Sequence, residues 1–116
     1  MLDHKPSSPI LRFHIAISVS DIAISVIDYS ERLGMAPVLI IQNEYALWRT
    51  ETINLSIRRT TDKPGILRHL GWEDNLAKEY SAEPDCNGIV WERFSPIDQE
   101  KEIKAIWPSV NYSAEK

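Results

Sequence analysis

FHIAISVSDIAISVIDYSERLGM, residues 13–35, passes from a strand pattern to a helix pattern across one capping residue. Phe13, Ile15, Ile17 and Val19 alternate with His14, Ala16 and Ser18, the period of two of a strand with one apolar and one mixed face. His14 therefore points away from the most apolar face and is the first residue to consider for chemistry. Ser20 or Asp21 caps the helix that follows, since a short polar side chain there accepts a hydrogen bond from a free N–H of the first turn. Ile22, Val26, Ile27, Tyr29 and Leu33 supply its buried stripe. Asp28, Glu31 and Arg32 form its solvated face, and Gly34 ends it in the left-handed conformation.

Working outward, residues 38–42, 45–49 and 53–58 read as three strands with short polar joints, so the first half is βαβββ. In the last of these Ile53, Leu55 and Ile57 share a face, leaving Asn54, Ser56 and Arg58 on the other. TTDKPG, residues 60–65, is the clearest break in the chain. Residues 66–72 then read as a strand, 73–80 as a short helix ended by the loop 81–88, and 89–94 and 101–107 as strands joined by the turn SPIDQE. Pro108 ends the pairing. The second half is thus βαββ, and each half opens with a strand bearing a histidine, His14 or His69, an internal repeat of about fifty residues. The expected organisation is an α+β domain: a flexible lead-in 1–9 containing His4, a first module 10–60, a linker 61–65, a shortened second module 66–108, and a polar tail 109–116 that frays while Tyr112 docks back.

Composition narrows the function class. The chain has 116 residues, 43% of them hydrophobic, with four tryptophans, enough for one domain with a core of its own. A net charge of −4 argues against nucleic acid or an anionic membrane as the main partner, because both require a basic footprint. The single Cys86 excludes an internal disulfide and fits a reducing compartment. No apolar run approaches the ~18 residues of a membrane span, and the N-terminus lacks a signal-peptide pattern, so a cytoplasmic protein is expected.

On the last strand of this reading Glu102, Lys104 and Ile106 oppose Ile103, Ala105 and Trp107, which turns Glu102 the way His14 points. Two histidines and a carboxylate from three strands make a facial triad for a divalent metal, iron, zinc, nickel or manganese, with positions left open for substrate or water. The plainer reading makes each histidine a hydrogen-bonded core residue, Glu102 and Lys104 a surface ion pair, and the tryptophans core or pocket wall.

The run 13–35 resembles the opening of the vicinal oxygen chelate superfamily, which includes glyoxalases, bleomycin-resistance proteins and extradiol dioxygenases. RHLGW, residues 68–72, resembles the start of that family's second module, and SPIDQEKE, residues 95–102, its turn DPDGNxxE. The resemblance covers residues 11–107. It implies two βαβββ-type modules forming a curved mixed sheet cup around a metal held by His14, His69 and Glu102, with Glu102 also catalytic. It further implies a metal-dependent lyase, isomerase or dioxygenase acting on a small oxygen-chelating substrate. The family's fourth ligand position falls at Asn54 or Ser56, poor metal ligands, which join Tyr45, Trp48 and Trp91 as substrate-binding residues. The alternative is a metal-free binding protein of the bleomycin-resistance kind, its pocket lined by Tyr45, Trp48 and Trp91. A third is a regulatory module pairing through a sheet edge. A homodimer is expected in each case, because the shortened module leaves sheet edge to be covered.

Overall fold

The structure, a computed structural model, describes residues 10–114. The lead-in 1–9, with His4, and residues 115–116 lie outside the described residues. Strand β1 (Leu11–Val19) runs into helix α1 (Ile22–Leu33), and β2 (Leu39–Ile41), β3 (Tyr45–Arg49) and β4 (Ile53–Arg59) follow as a meander. Asp21 caps α1 by accepting from the Ile24 N–H at 2.9 Å, and Gly34 closes it at φ 74°. Ile22 is buried, and Val26, Tyr29 and Leu33 pack on the core beside it. Ile27 corrects the expected stripe: it is 72% exposed, because it sits about 100° around the helix from Val26 and so past the edge of the packed face.

The second half is β5 (Ile66–Asp74), β6 (Ser81–Pro84), β7 (Val90–Phe94) and helix α2 (Pro96–Ile106). It departs from the sequence expectation in two places. No helix covers 73–80; β5 continues through Asp74, and residues 81–84 of the expected loop are β6. The alternation was hidden because the inward residue is charged: Glu73 is fully buried, held by Arg12 and Arg49. Residues 101–107 are not a strand either. Ser95 and Asp98 exchange side chain-to-backbone hydrogen bonds in a capping box, Pro96 occupies the first turn, and Pro96, Gln99 and Ile103 turn inward at helical spacing. A capping box at SPID outweighs period-two alternation, because it satisfies two otherwise free N–H groups at once.

All seven strands form one mixed sheet in the order β2-β3-β4-β1-β5-β7-β6. The pairings repeat across its centre. β1 lies parallel to β4, which is antiparallel to β3; β5 lies parallel to β7, which is antiparallel to β6; β1 and β5 join the halves antiparallel. The second half thus has neither a counterpart of α1 between its strands nor a fourth strand.

Each face carries its own core. Ala46, Trp48, Leu55 and Ile57 pack under α1, while Tyr45 and Leu47, their neighbours on β3, pack with Leu39, Ile103 and Tyr112 under α2 and the tail. Towards β7 the α1 face is closed by Phe13 against Trp72 and Trp91, with ring centroids 5.3 and 6.1 Å apart. The described part of the tail, residues 109–114, does not simply fray: Tyr112 is buried, and the Ala114 N–H donates to Glu100 at 2.7 Å. Cys86 is free and exposed. No helix among the described residues is long and apolar enough to cross a membrane.

Candidate metal centre

The α2 face of the sheet carries one row of residues across four adjacent strands: Asn54 on β4, His14 on β1, Gly71 on β5 and Glu92 on β7. His14 and Glu92 are two strands apart, about 10 Å between backbones, and a side chain at residue 71 would stand between them. Glycine leaves that space open. The His14 Nε2 and Glu92 Oε1 atoms approach to 3.9 Å over it. His69, two residues before Gly71 on the same strand, supplies the third corner: its Nε2 lies 3.0 Å from His14 Nε2 and 3.2 Å from Glu92 Oε1.

Three donor atoms so placed could hold one divalent ion: two edges of the triangle have the spacing of metal ligands, and the 3.9 Å edge between His14 and Glu92 is wider. Bonds of about 2.0–2.2 Å place neighbouring ligand atoms roughly 3.0 Å apart at right angles and roughly 3.4 Å apart in a tetrahedron. Two imidazoles and one carboxylate suit first-row divalent metals, and three protein ligands leave further positions open.

The layer behind the donors fixes their orientation. His14 is buried, and its Nδ1 lies 2.9 Å from Asn54 Oδ1 and 3.2 Å from the Asn54 carbonyl oxygen. The amide cannot be reversed, because Asn54 Nδ2 donates to the Glu73 carboxylate at 2.8 Å and to Gln99 Oε1 at 2.9 Å. Nδ1 of His14 therefore carries the proton, and Nε2 presents a bare lone pair to the triangle. Burial, opposed by the bond to Asn54, lowers the His14 pKa and keeps the ring neutral, as a ligand must be. Phe94 packs edge-on against the ring at 4.9 Å. Glu92 is steered in the same manner: the Tyr80 hydroxyl donates to its Oε2 at 2.8 Å, leaving Oε1 for the histidines. Although burial opposes it, hydrogen bonds from His69 and Tyr80 hold the Glu92 carboxyl below its usual pKa.

The expected consequence is a single tautomer for His14. Nitrogen NMR of the imidazole should give the Nδ1–H form in the metal-free protein and a mixture of tautomers in Asn54→Leu; a mixture in both would remove the orienting role of Asn54.

The triangle opens into a cavity of about 310 Å³, walled by Tyr45, Ser56, Phe94, Ile106 and Trp107 among others. No protein-family model matches the chain, and no curated protein matches it significantly. The site thus rests on its own geometry.

That geometry brings His14 and His69 together as the sequence suggested, with a different carboxylate. Glu102 lies on α2 and lines the same cavity, while the group of close donor atoms is His14, His69 and Glu92. Burial and the Glu92 carboxylate raise the Glu102 pKa, against the pull of His69, Arg68 and Arg58. Tyr45 and Ser56 line the cavity. Asn54 lies buried behind His14 rather than on the wall. Trp48 belongs to the opposite core, its indole N–H directed to the Met35 carbonyl oxygen at 3.2 Å. Trp91 also turns to the α1 side, and its indole donates to Asp85 at 2.8 Å.

The sequence did contain a signal for Glu92. DCNGIVWE, residues 85–92, has Asp, Gly and Glu at the first, fourth and eighth places of the pattern DPDGNxxE, whereas SPIDQEKE keeps only the proline and the last glutamate. The physical basis of that spacing is a turn. The Asp85 carboxylate accepts from the N–H groups of Asn87 and Ile89 at 2.8 and 3.0 Å, and Gly88 takes φ 83° to start β7. Glu92 then points to the α2 face. Gly71, Glu73 and Tyr80 had no comparable signal, since each acts through a neighbour brought in by the fold.

Proposed function

We propose that this protein is a divalent-metal-dependent enzyme of the glyoxalase and dioxygenase superfamily, acting on a small substrate that chelates the metal through adjacent oxygens. The observation that carries the reading is the convergence of His14 Nε2, His69 Nε2 and Glu92 Oε1 at the base of a cavity. Two further features support it: the paired order of strands about the β1–β5 junction, and the turn-and-glutamate spacing of residues 85–92. A metal bound there would act as a Lewis acid on a coordinated oxygen, or as an oxygen-activating centre if it is iron.

The chain's own residues have separable tasks. Asn54 fixes the tautomer of His14, and Tyr80 fixes the rotamer of Glu92. Phe94 and Trp107 bring apolar surface to the cavity, and α2 lies along one wall, which limits water around a bound ligand. Glu102 faces the cavity as a carboxylate outside the donor triangle, placed to receive a proton from a ligand.

A second reading is favoured by the direct imidazole contact. One proton shared between the two Nε2 atoms at 3.0 Å satisfies both rings without a metal, and the cavity would then hold a ligand as a metal-free binding protein.

Elemental analysis and calorimetry separate the two. Protein stripped with a chelator and titrated with Zn²⁺, Mn²⁺, Ni²⁺ or anaerobic Fe²⁺ is expected to take up one ion per chain. His69→Ala and Glu92→Gln should lose that uptake, whereas Glu102→Gln should keep it. Protein that takes up no ion rules out the enzyme reading in favour of the binding protein. Uptake lost in Glu102→Gln and kept in Glu92→Gln would restore the carboxylate expected from sequence.

A further inference from the structure

The cavity has a second chemical character, set by a strand irregularity beside the metal donors. In a regular strand neighbouring side chains point to opposite faces, yet Arg68 and His69 both line the cavity. The register explains it: Ala16 pairs with His69 and Ile17 with Leu67, so Arg68 is the extra residue of a bulge. Bulges re-aim side chains in this way. Arg58 reaches the same cavity from the end of β4, its guanidinium 5.3 Å from the centre of the Trp107 ring.

The charges there are not balanced among the described residues. Of the acids lining the cavity, Glu92 is engaged with His69 and Tyr80, and Asp98 accepts from the Ser95 N–H at 2.9 Å as the cap of α2. That leaves Glu102. Against it stand the side chains of Arg58, Arg68 and Lys101, which make no hydrogen bond or ion pair with any described residue. A guanidinium has a fork of donors that matches a carboxylate or phosphate, and Arg58 already lies over an indole ring.

We infer that the ligand of this cavity is an anion, its carboxylate or phosphate held by Arg58 and Arg68 while its other end lies at the His14, His69 and Glu92 donors. This deepens the metal-dependent reading and rests on it for the chelating end alone; the arginine pair binds the anionic end whether or not a metal is present. A cavity of about 310 Å³ accommodates a molecule the size of a substituted benzene ring.

The test uses two probes that differ in one charge, 3,4-dihydroxybenzoate and its neutral amide, 3,4-dihydroxybenzamide. Calorimetry of each with the Zn²⁺-treated and the chelator-stripped full chain should show the carboxylate binding about tenfold tighter or better, as expected of charge-assisted hydrogen bonds. In Arg68→Gln the ratio should fall towards one, and in Arg68→Lys it should fall only partly. Arg68 is exposed on the bulge, so its replacement leaves the fold intact. Arg58→Gln provides the second arm, with circular dichroism as the check on folding. A carboxylate preference in protein that takes up no zinc would sink the metal reading and keep the anion site. Zinc uptake with equal affinity for the two probes, no binding of the carboxylate at millimolar concentration, or a preference that persists in Arg68→Gln and Arg58→Gln would overturn the inference.

Discussion

Glu73→Gln is expected to destabilise the fold by about 3–5 kcal/mol, the cost of breaking a buried ion cluster by removing one partner. The Glu73 side chain is fully buried between two cations. Its Oε2 accepts from Arg12 Nη1 and Arg49 Nη2, both at 2.7 Å, and its Oε1 accepts from Arg49 Nε at 2.9 Å and Asn54 Nδ2 at 2.8 Å. Glutamine has the same shape, but it leaves the guanidiniums facing each other without a countercharge and turns an NH₂ group towards donors. Urea denaturation followed by tryptophan fluorescence should show the midpoint fall at unchanged slope. The pH dependence gives a second readout. Burial opposes ionisation, yet the bonds from Arg49 and Asn54 and the charges of Arg49 and Arg12 hold the Glu73 carboxyl below its ordinary value. The unfolded chain therefore binds this proton first as pH falls. The stabilisation from Glu73 is complete above about pH 4.5 and is lost as pH drops through the depressed folded value; in Glu73→Gln that part of the acid sensitivity should disappear. A midpoint within about 1 kcal/mol of wild type would mean that the cluster is not a structural anchor.

Gly71→Ala is expected to reach or exceed the ~3 kcal/mol upper end of overpacking substitutions and, on the proposed metal-binding reading, to abolish metal uptake. A Cβ on Gly71 would meet the backbone oxygen of Glu92 and lie 2.8 and 2.9 Å from its backbone N and C atoms. None of these is the end of a flexible side chain, so relief requires β7 to move and to take Glu92 from the triangle. Gly34→Ala is the control. That glycine has φ 74° with nothing near the position of a Cβ, so its replacement carries only the left-handed penalty of roughly 1–2 kcal/mol and should leave metal uptake unchanged. Equal losses in the two variants would argue against a close approach of β5 and β7.

The residues that were legible in the sequence and those that were not differ in how far their partners lie along the chain. From residue 11 to residue 59 the period of two, the Asp21 cap, the Gly34 stop and the meander all appear in place, because each depends on neighbours within a few positions. Beyond residue 72 the same reading breaks down. A buried Glu73 interrupts apolar alternation, and its burial is paid for by Arg12 and Arg49, 61 and 24 positions away. The capping box at Ser95 was local and readable, but alternation of Ile103, Ala105 and Trp107 obscured it.

By itself, then, the sequence determined an α+β chain with a capped first helix and a histidine near the start of each half, since periodicity and capping are properties of adjacent residues. The spacing of residues 85–92 pointed to Glu92 and that of residues 95–102 to Glu102, and only the tertiary structure decided which carboxylate lies beside the two histidines. Glu92 meets His14 because Gly71 leaves the intervening strand bare, and Arg68 turns beside His69 because a bulge shifts the register there. Both are consequences of strand pairing between residues far apart in the chain, which no local pattern encodes.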